Sequence, residues 1–150
     1  MARYQMSTRC AWTQEQAFAY MADIRNFAKW DPGVVAVTRV PEADEGKPPG
    51  FEASYDLVVK SGGTSTFRYQ LTNFNAPNSY VMVASNRWVR SVDEISVVPN
   101  VGGGCTVRYD AELTLHGRLS MFDFALAIAF RRIGDRAAAG LRKALSSAKP

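Results

Sequence analysis

One acidic residue in this chain stands where an apolar one is expected. In the run 88–98, Val89, Ser91, Asp93, Ile95 and Val97 share one face, and strand alternation sends such a face toward the interior of a half-buried sheet. A carboxylate placed there is costly unless it finds donors or keeps its proton to higher pH. The same alternation turns Tyr69 of run 64–74 and Tyr109 of run 105–115 to that side, and phenolic hydroxyls are suitable donors. Asp93 as base and Tyr109 as acid, with Tyr69 as an orienting donor, would make a pair able to polarise a carbonyl and take a proton from the adjacent carbon. The plainer alternative puts Asp93 at the start of its strand, in solvent or bonded to loop backbone, and leaves the tyrosines as core aromatics.

Little else in the chain suggests chemistry. His116 is the only histidine, and alternation with Thr114 and Glu112 points it outward. Cys10 and Cys105 lie at opposite ends of the chain without metal-ligand spacing, and both read as buried thiols acting as small apolar groups. Gly102-Gly103-Gly104 joins two strands and precedes no helix, so it is a turn and not a phosphate loop. No Gly-x-Ser-x-Gly elbow is present. Neither a metal nor a cofactor is expected.

The elements that must position these residues follow from periodicity. Residues 3–11 alternate as a strand, with Tyr4, Met6, Thr8 and Cys10 on one face. Thr13-Gln14-Glu15-Gln16 matches a capping box, and Ala17 to Met21 continues it as a helix. A second short helical turn covers Asn26 to Trp30 and stops at Asp31-Pro32-Gly33. Strands are expected over 34–40, 51–60, 64–74, 79–86, 88–98 and 105–115, after a polar loop from Pro41 to Gly50. Short strands joined by tight turns pair antiparallel. Residues 119–146 form a long helix with Leu126, Ala129, Phe130, Ile133, Ala137, Gly140, Leu141, Ala144 and Leu145 on one face. Arg131, Arg132, Asp135, Arg136, Arg142 and Lys143 lie on the opposite face.

Seven strands and one amphipathic helix suggest an α+β domain in which a curved antiparallel sheet wraps the C-terminal helix. The inward set on the sheet comprises Phe51, Ala53, Tyr55, Leu57 and Val59, then Phe67, Tyr69, Leu71 and Asn73. It continues with the 88–98 set and with Cys105, Val107, Tyr109, Ala111, Leu113 and Leu115. Run 79–86 is ambiguous, because Tyr80, Met82 and Ala84 compete with Val81 and Val83. Small residues on the helix, Ala129, Gly134, Ala137, Gly140 and Ala144, imply either close packing or room for a guest. With room for a guest, the ligand-binding set is Tyr55, Phe67, Tyr69, Ser91, Asp93, Tyr109, Leu126, Phe130, Ile133 and Ala137.

The chain has 150 residues, 47% hydrophobic and 21% charged, as expected for one globular domain. Its start lacks the apolar stretch of a signal peptide, and its most apolar run, 124–130, is too short to span a bilayer. A cytoplasmic location is the expectation. The net charge of +4 is uneven, with seven basic and two acidic residues from Arg118 onward. Such a helix face is either solvated or a contact for RNA, the ribosome or an anionic membrane. It lacks the interleaved aromatics that would favour nucleic acid. Met121, Phe124 and Ile128 project onto the outer side of the helix start. Cover by the 25–33 segment or a neighbouring loop is expected, and a homodimer or membrane contact is the alternative.

Three stretches carry a family likeness: Ala17 to Pro32, Ser91-Val92-Asp93-Glu94-Ile95, and Gly103 to Leu113, with the final helix completing it. Through them the chain resembles the polyketide cyclase/dehydrase-like group of the SRPBCC superfamily, relatives of START lipid-transfer domains and plant pollen-allergen proteins. The resemblance implies a helix-grip fold and a cavity for a hydrophobic small molecule: a lipid, a quinone or an aromatic polyketide-like metabolite. A cyclase or dehydratase using Asp93 and Tyr109, and a regulatory module using the basic helix face, are the other activities it implies.

Overall fold

Alternation along the first strand sets the inside of the molecule. In β1 (Ala2–Cys10) the even-numbered residues are buried or half-buried and the odd-numbered ones are exposed. The computed structural model describes residues 1–60 and 62–147. After β1, Thr13 caps α1 (Gln14–Ala22). Its side chain accepts from the Gln16 amide at 3.1 Å, while the Thr13 amide donates to the Gln16 side chain at 3.1 Å. This reciprocal cap fixes the helix start so that Phe18 and Met21 face inward. A 3₁₀ turn, Ile24–Asn26, leads into the short α2 (Phe27–Trp30), which stops ahead of Pro32.

Six further strands follow: β2 (Val34–Val40), β3 (Ser54–Lys60), β4 (Thr64–Asn75), β5 (Ser79–Ser85), β6 (Val89–Pro99) and β7 (Cys105–Leu115). All pair antiparallel in one sheet of order β1-β7-β6-β5-β4-β3-β2. The two short helices therefore carry the chain from one sheet edge to the other. A 3₁₀ segment, Gly117–Phe122, precedes the long α3 (Asp123–Leu145). This is the α+β helix-grip architecture: a curved seven-stranded sheet, a long C-terminal helix and two short helices after the first strand.

Several expectations about side-chain direction are corrected. Phe51 is exposed, because Glu52 takes a left-handed φ of 69° and the extended chain begins only at Ser54. Asn73 is exposed, because a register shift between Leu71 and Asn73 inserts a residue and turns Phe74 onto the core instead. In β5 the ambiguity resolves with Tyr80, Met82 and Ala84 inside. Cys10 and Cys105, far apart in sequence, are register partners across β1 and β7 and remain free thiols. Met121, Phe124 and Ile128 are exposed, so neither the 25–33 segment nor a loop covers them.

The two halves of α3 behave differently. Toward its C-terminus Ala138, Leu141 and Leu145 are buried against the core. A Cβ on Gly140 would lie 1.8 Å from the Trp30 carbonyl oxygen, and one on Gly134 would lie 2.4 Å from the Tyr4 ring. Both glycines thus allow close approach. Toward the N-terminus Leu126 and Phe130 are only half-buried, and Ala129 and Ile133 are exposed. The helix packs deeply in its C-terminal half, while its N-terminal half, tied at Asp123 to the N-terminal amine at 2.7 Å, stands off the sheet.

Gly140→Ala separates this seating from helix propensity. Alanine favours the helix by about 1 kcal/mol over glycine, whereas overpacking costs about 1–3 kcal/mol and more against rigid backbone. Since the clash is with a main-chain oxygen, a net loss of about 2 kcal/mol or more is expected in urea unfolding. A variant as stable as the parent would contradict the contact.

Candidate functional site

Because α3 stands off the sheet, a cavity of about 750 Å³ lies beneath it. Its helical wall includes Leu126, Ala129, Phe130, Ile133 and Ala137. Its sheet wall includes Met6, Leu57, Phe67, Tyr69, Met82 and Tyr109, and Phe27 to Val34 contributes Trp30 and Asp31. Lys60 and Arg136, both exposed, complete the rim. Most of this surface is apolar, and one spot on the floor is not.

That spot is built by β4, β6 and β7. Asp93 lies in mid-strand and is only 6% exposed, which removes the reading of a solvated strand start. Its two oxygens are each occupied. Ser91 donates to Oδ1 at 3.0 Å, and the Tyr109 hydroxyl donates to Oδ2. Tyr69 in turn donates to the Ser91 hydroxyl at 3.0 Å. The direction of this chain is forced when Asp93 is ionised. A carboxylate only accepts, so Ser91 and Tyr109 must donate to it; Ser91 has then spent its single proton, and Tyr69 must donate to Ser91. All three hydroxyl protons are committed, and the lone pairs left on the hydroxyl oxygens are acceptors.

Burial pushes Asp93 up to about 6, against the opposing pull of its bonds from Tyr109 and Ser91. The Asp31 charge adds to the rise. Asp31 is itself raised by burial, although the Gly33 amide donates to it at 2.8 Å. Tyr69 and Tyr109 are raised, first by burial and then by the Asp93 charge, so both stay neutral donors. Trp30 packs edge-on against Tyr109 with ring centroids 5.9 Å apart, and its buried indole N–H has no partner.

Of the residues singled out from sequence, the cavity brings together Phe67, Tyr69, Ser91, Asp93, Tyr109, Leu126, Phe130, Ile133 and Ala137. Tyr55 is a correction. It is buried outside the lining, and its hydroxyl accepts from the Arg39 guanidinium at 3.3 Å, the same group that donates to the Lys47 carbonyl at 2.9 Å. Arg136, expected on the outer face, instead reaches the rim. Sequence pattern places Trp30 and Asp31 only at the end of a helical turn. The sole hint to their role is a large aromatic and an acid directly before a Pro-Gly stop. Among the described residues no group of acidic, histidine or cysteine side chains could hold a metal.

A curved sheet closed by one long helix, with an apolar cavity between them, is the START-like helix-grip fold. The chain belongs to the family described as polyketide cyclase / dehydrase and lipid transport, whose profile matches residues 1–146. Among solved structures it is similar to a START superfamily protein from Mycobacterium smegmatis, with a TM-score of 0.76, 11% identity and 97% of each chain covered. It is also similar to the Zhui aromatase/cyclase from Streptomyces sp. R1128, with a TM-score of 0.73 and 11% identity over 95% of this chain and 90% of that one. A third is TTHA0849 from Thermus thermophilus, with a TM-score of 0.74 and 11% identity over 95% of this chain and 96% of that one. At such identity these likenesses speak to fold. No curated protein sequence matches the chain.

The buried carboxylate has a measurable consequence. Asp93 holds its proton to about 6 when folded and to about 3.8 when unfolded. Between those values the folded state binds more protons, so its stability falls as pH rises through the window. The full effect is roughly 3 kcal/mol. Asp93→Asn cannot titrate there. The stability of the parent relative to this variant, from urea unfolding, should therefore fall from about pH 4 to about pH 7. Parallel profiles would contradict the burial of an ionisable Asp93.

Proposed function

We propose that this chain binds a hydrophobic small molecule carrying a hydroxyl group, such as a phenol, hydroquinone, hydroxylated polyketide or hydroxylated lipid, in the cavity under α3. The observation that carries this reading is the cavity itself, about 750 Å³ with one polar spot on an apolar wall. Ligand pockets typically span ~300–1,000 Å³ and fix orientation with a few polar groups.

The hydroxyl follows from counting protons. With Asp93 ionised, the protons of Tyr69, Ser91 and Tyr109 are all committed within the network, so what these hydroxyls can offer a ligand is lone pairs. A ligand hydroxyl can donate to them. A quinone only accepts and leaves the tyrosine lone pairs unmet. A hydrogen bond to a charge-linked network contributes about 1.5–3 kcal/mol, so a hydroquinone should bind at least about tenfold more tightly than its quinone above pH 7. The difference should narrow below about pH 5, where Asp93 gains a proton. Titration followed by tryptophan fluorescence measures both. Equal affinity for the pair at high pH would contradict the proposed recognition. The cavity is tested separately by Ala129→Trp, which should block an apolar ligand by more than tenfold without lowering the melting temperature.

A second reading is favoured by one observation, the contact of the Tyr109 hydroxyl with a carboxyl group titrating near 6. In it Asp93 removes a proton beside a ligand carbonyl and Tyr109 protonates the oxygen, as in cyclisation or dehydration of a polyketide-like substrate. Acid–base catalysis of this kind contributes about 10²–10⁴-fold. Asp93→Asn would then abolish turnover and retain binding. If the protein acts as a carrier, the ligand is recovered unchanged from parent and variant alike.

A further inference from the structure

The 117–122 segment and the start of α3 carry a run of exposed large apolar side chains. Met121 and Phe124 are 78% and 82% exposed, and Phe122 and Ile128 are exposed beside them in sequence. Trp88 is also exposed, and its carbonyl accepts from the His116 amide at 2.8 Å, just before the 117–122 segment. Single apolar side chains on a surface are ordinary, but a cluster at one tip marks a contact.

Charge identifies what the contact takes. Both acids of the C-terminal segment are engaged within the chain. Asp123 is paired with the N-terminal amine at 2.7 Å, and Asp135 accepts from the Tyr4 hydroxyl at 2.7 Å. Among the described residues, Arg118, Arg131, Arg132, Arg136, Arg142 and Lys143 form no ion pair. Arg131 and Arg132 follow Phe124 and Ile128 at helical spacing, so the apolar stripe runs into a cationic one. A second copy in a two-fold dimer would cover the apolar stripe but supply no anionic partner for these cations. An anionic bilayer meets both halves. Its hydrocarbon accepts protruding side chains without a shaped pocket, and its headgroups neutralise arginine.

We infer that the tip of α3 docks this protein peripherally on anionic lipid membranes, with Met121, Phe122, Phe124 and Ile128 inserted and Arg131 and Arg132 on the headgroups. No helix among the described residues is long and apolar enough to cross a membrane, so the contact is superficial. The same helix walls the cavity with Leu126, Phe130 and Ile133. Docking would bring the cavity wall to the lipid surface, where an apolar ligand could pass between bilayer and protein. That use of the surface rests on the cavity reading; the docking does not.

The test is co-sedimentation of the full chain with phosphatidylcholine vesicles, with and without phosphatidylglycerol. Binding should be at least tenfold stronger to the anionic vesicles and should weaken with salt. Arg131→Gln with Arg132→Gln should weaken it further, by about fivefold per charge. Met121→Ser with Phe124→Ser should lose at least about tenfold on the same vesicles. Binding of an apolar fluorophore in the cavity should be unchanged by either pair. Absence of vesicle binding, equal binding to both compositions, or indifference to the Met121 and Phe124 changes would overturn the proposal. Dimers in sedimentation velocity that dissociate in the Met121/Phe124 variant would also overturn it, assigning the patch to a second copy. Vesicle binding in a protein that takes up no fluorophore would sink the cavity reading and leave docking intact.

Discussion

The close seating of α3 on the Trp30 carbonyl is the constraint from which the site follows. Gly140 allows the helix to approach that oxygen, and Leu141 and Leu145 bury beside it. No comparable burial occurs in the first half of the helix, where Leu126 and Phe130 are half-buried and Ala129 and Ile133 are exposed. A helix that buries deeply only in its C-terminal half leaves space between its other half and the curved sheet. The contact also presents the Trp30 indole to the cavity wall and places Asp31 next to it. Space and helical wall are therefore consequences of one packing arrangement, supplemented by the ties of Asp135 and Asp123 to β1 and the N-terminus, while the polar spot comes from the register of β4, β6 and β7.

The polar spot owes its character to an imbalance between donors and desolvation. Three hydroxyls converge on Asp93 directly or in relay. Their bonds favour the ionised form, yet burial and the neighbouring Asp31 outweigh them and lift it to about 6. The network is thus charged at neutral pH at some cost to stability, and every proton it owns points inward along itself. A cavity with this wiring presents acceptors, which narrows the ligands it suits more than its apolar walls do.

Much of this arrangement was legible in the sequence because period-two alternation is unambiguous in the long strands. β6 and β7 put Ser91, Asp93 and Tyr109 on one face, and antiparallel order put Tyr69 opposite them. What alternation cannot supply is local backbone geometry. Glu52 in the left-handed region removed Phe51 from β3, and the register shift after Leu71 exchanged Asn73 for Phe74. Nor can it show which of several partners a buried polar group takes. Tyr55 faces inward as expected, yet Arg39 engages its hydroxyl where the 41–50 loop folds over, away from the cavity. The helical projection placed Leu141 and Leu145 on the buried face of α3 and gave no sign of how unevenly that face is covered. As a result, residues expected to be buried in its first half are open, and Arg136 reaches the rim. Trp30 and Asp31 were hidden by their place in a turn, where residue type is ordinarily explained by chain reversal.

Amide hydrogen exchange along α3 tests the one-ended seating most directly. The account predicts that 136–145 exchange slowly, near the rate of global unfolding, and that 123–133 exchange at least about a hundredfold faster. An apolar ligand should slow the second stretch and leave the first unchanged. Uniform protection of the whole helix in the absence of ligand would mean that it is packed along its full length, and the cavity with everything derived from it would not exist.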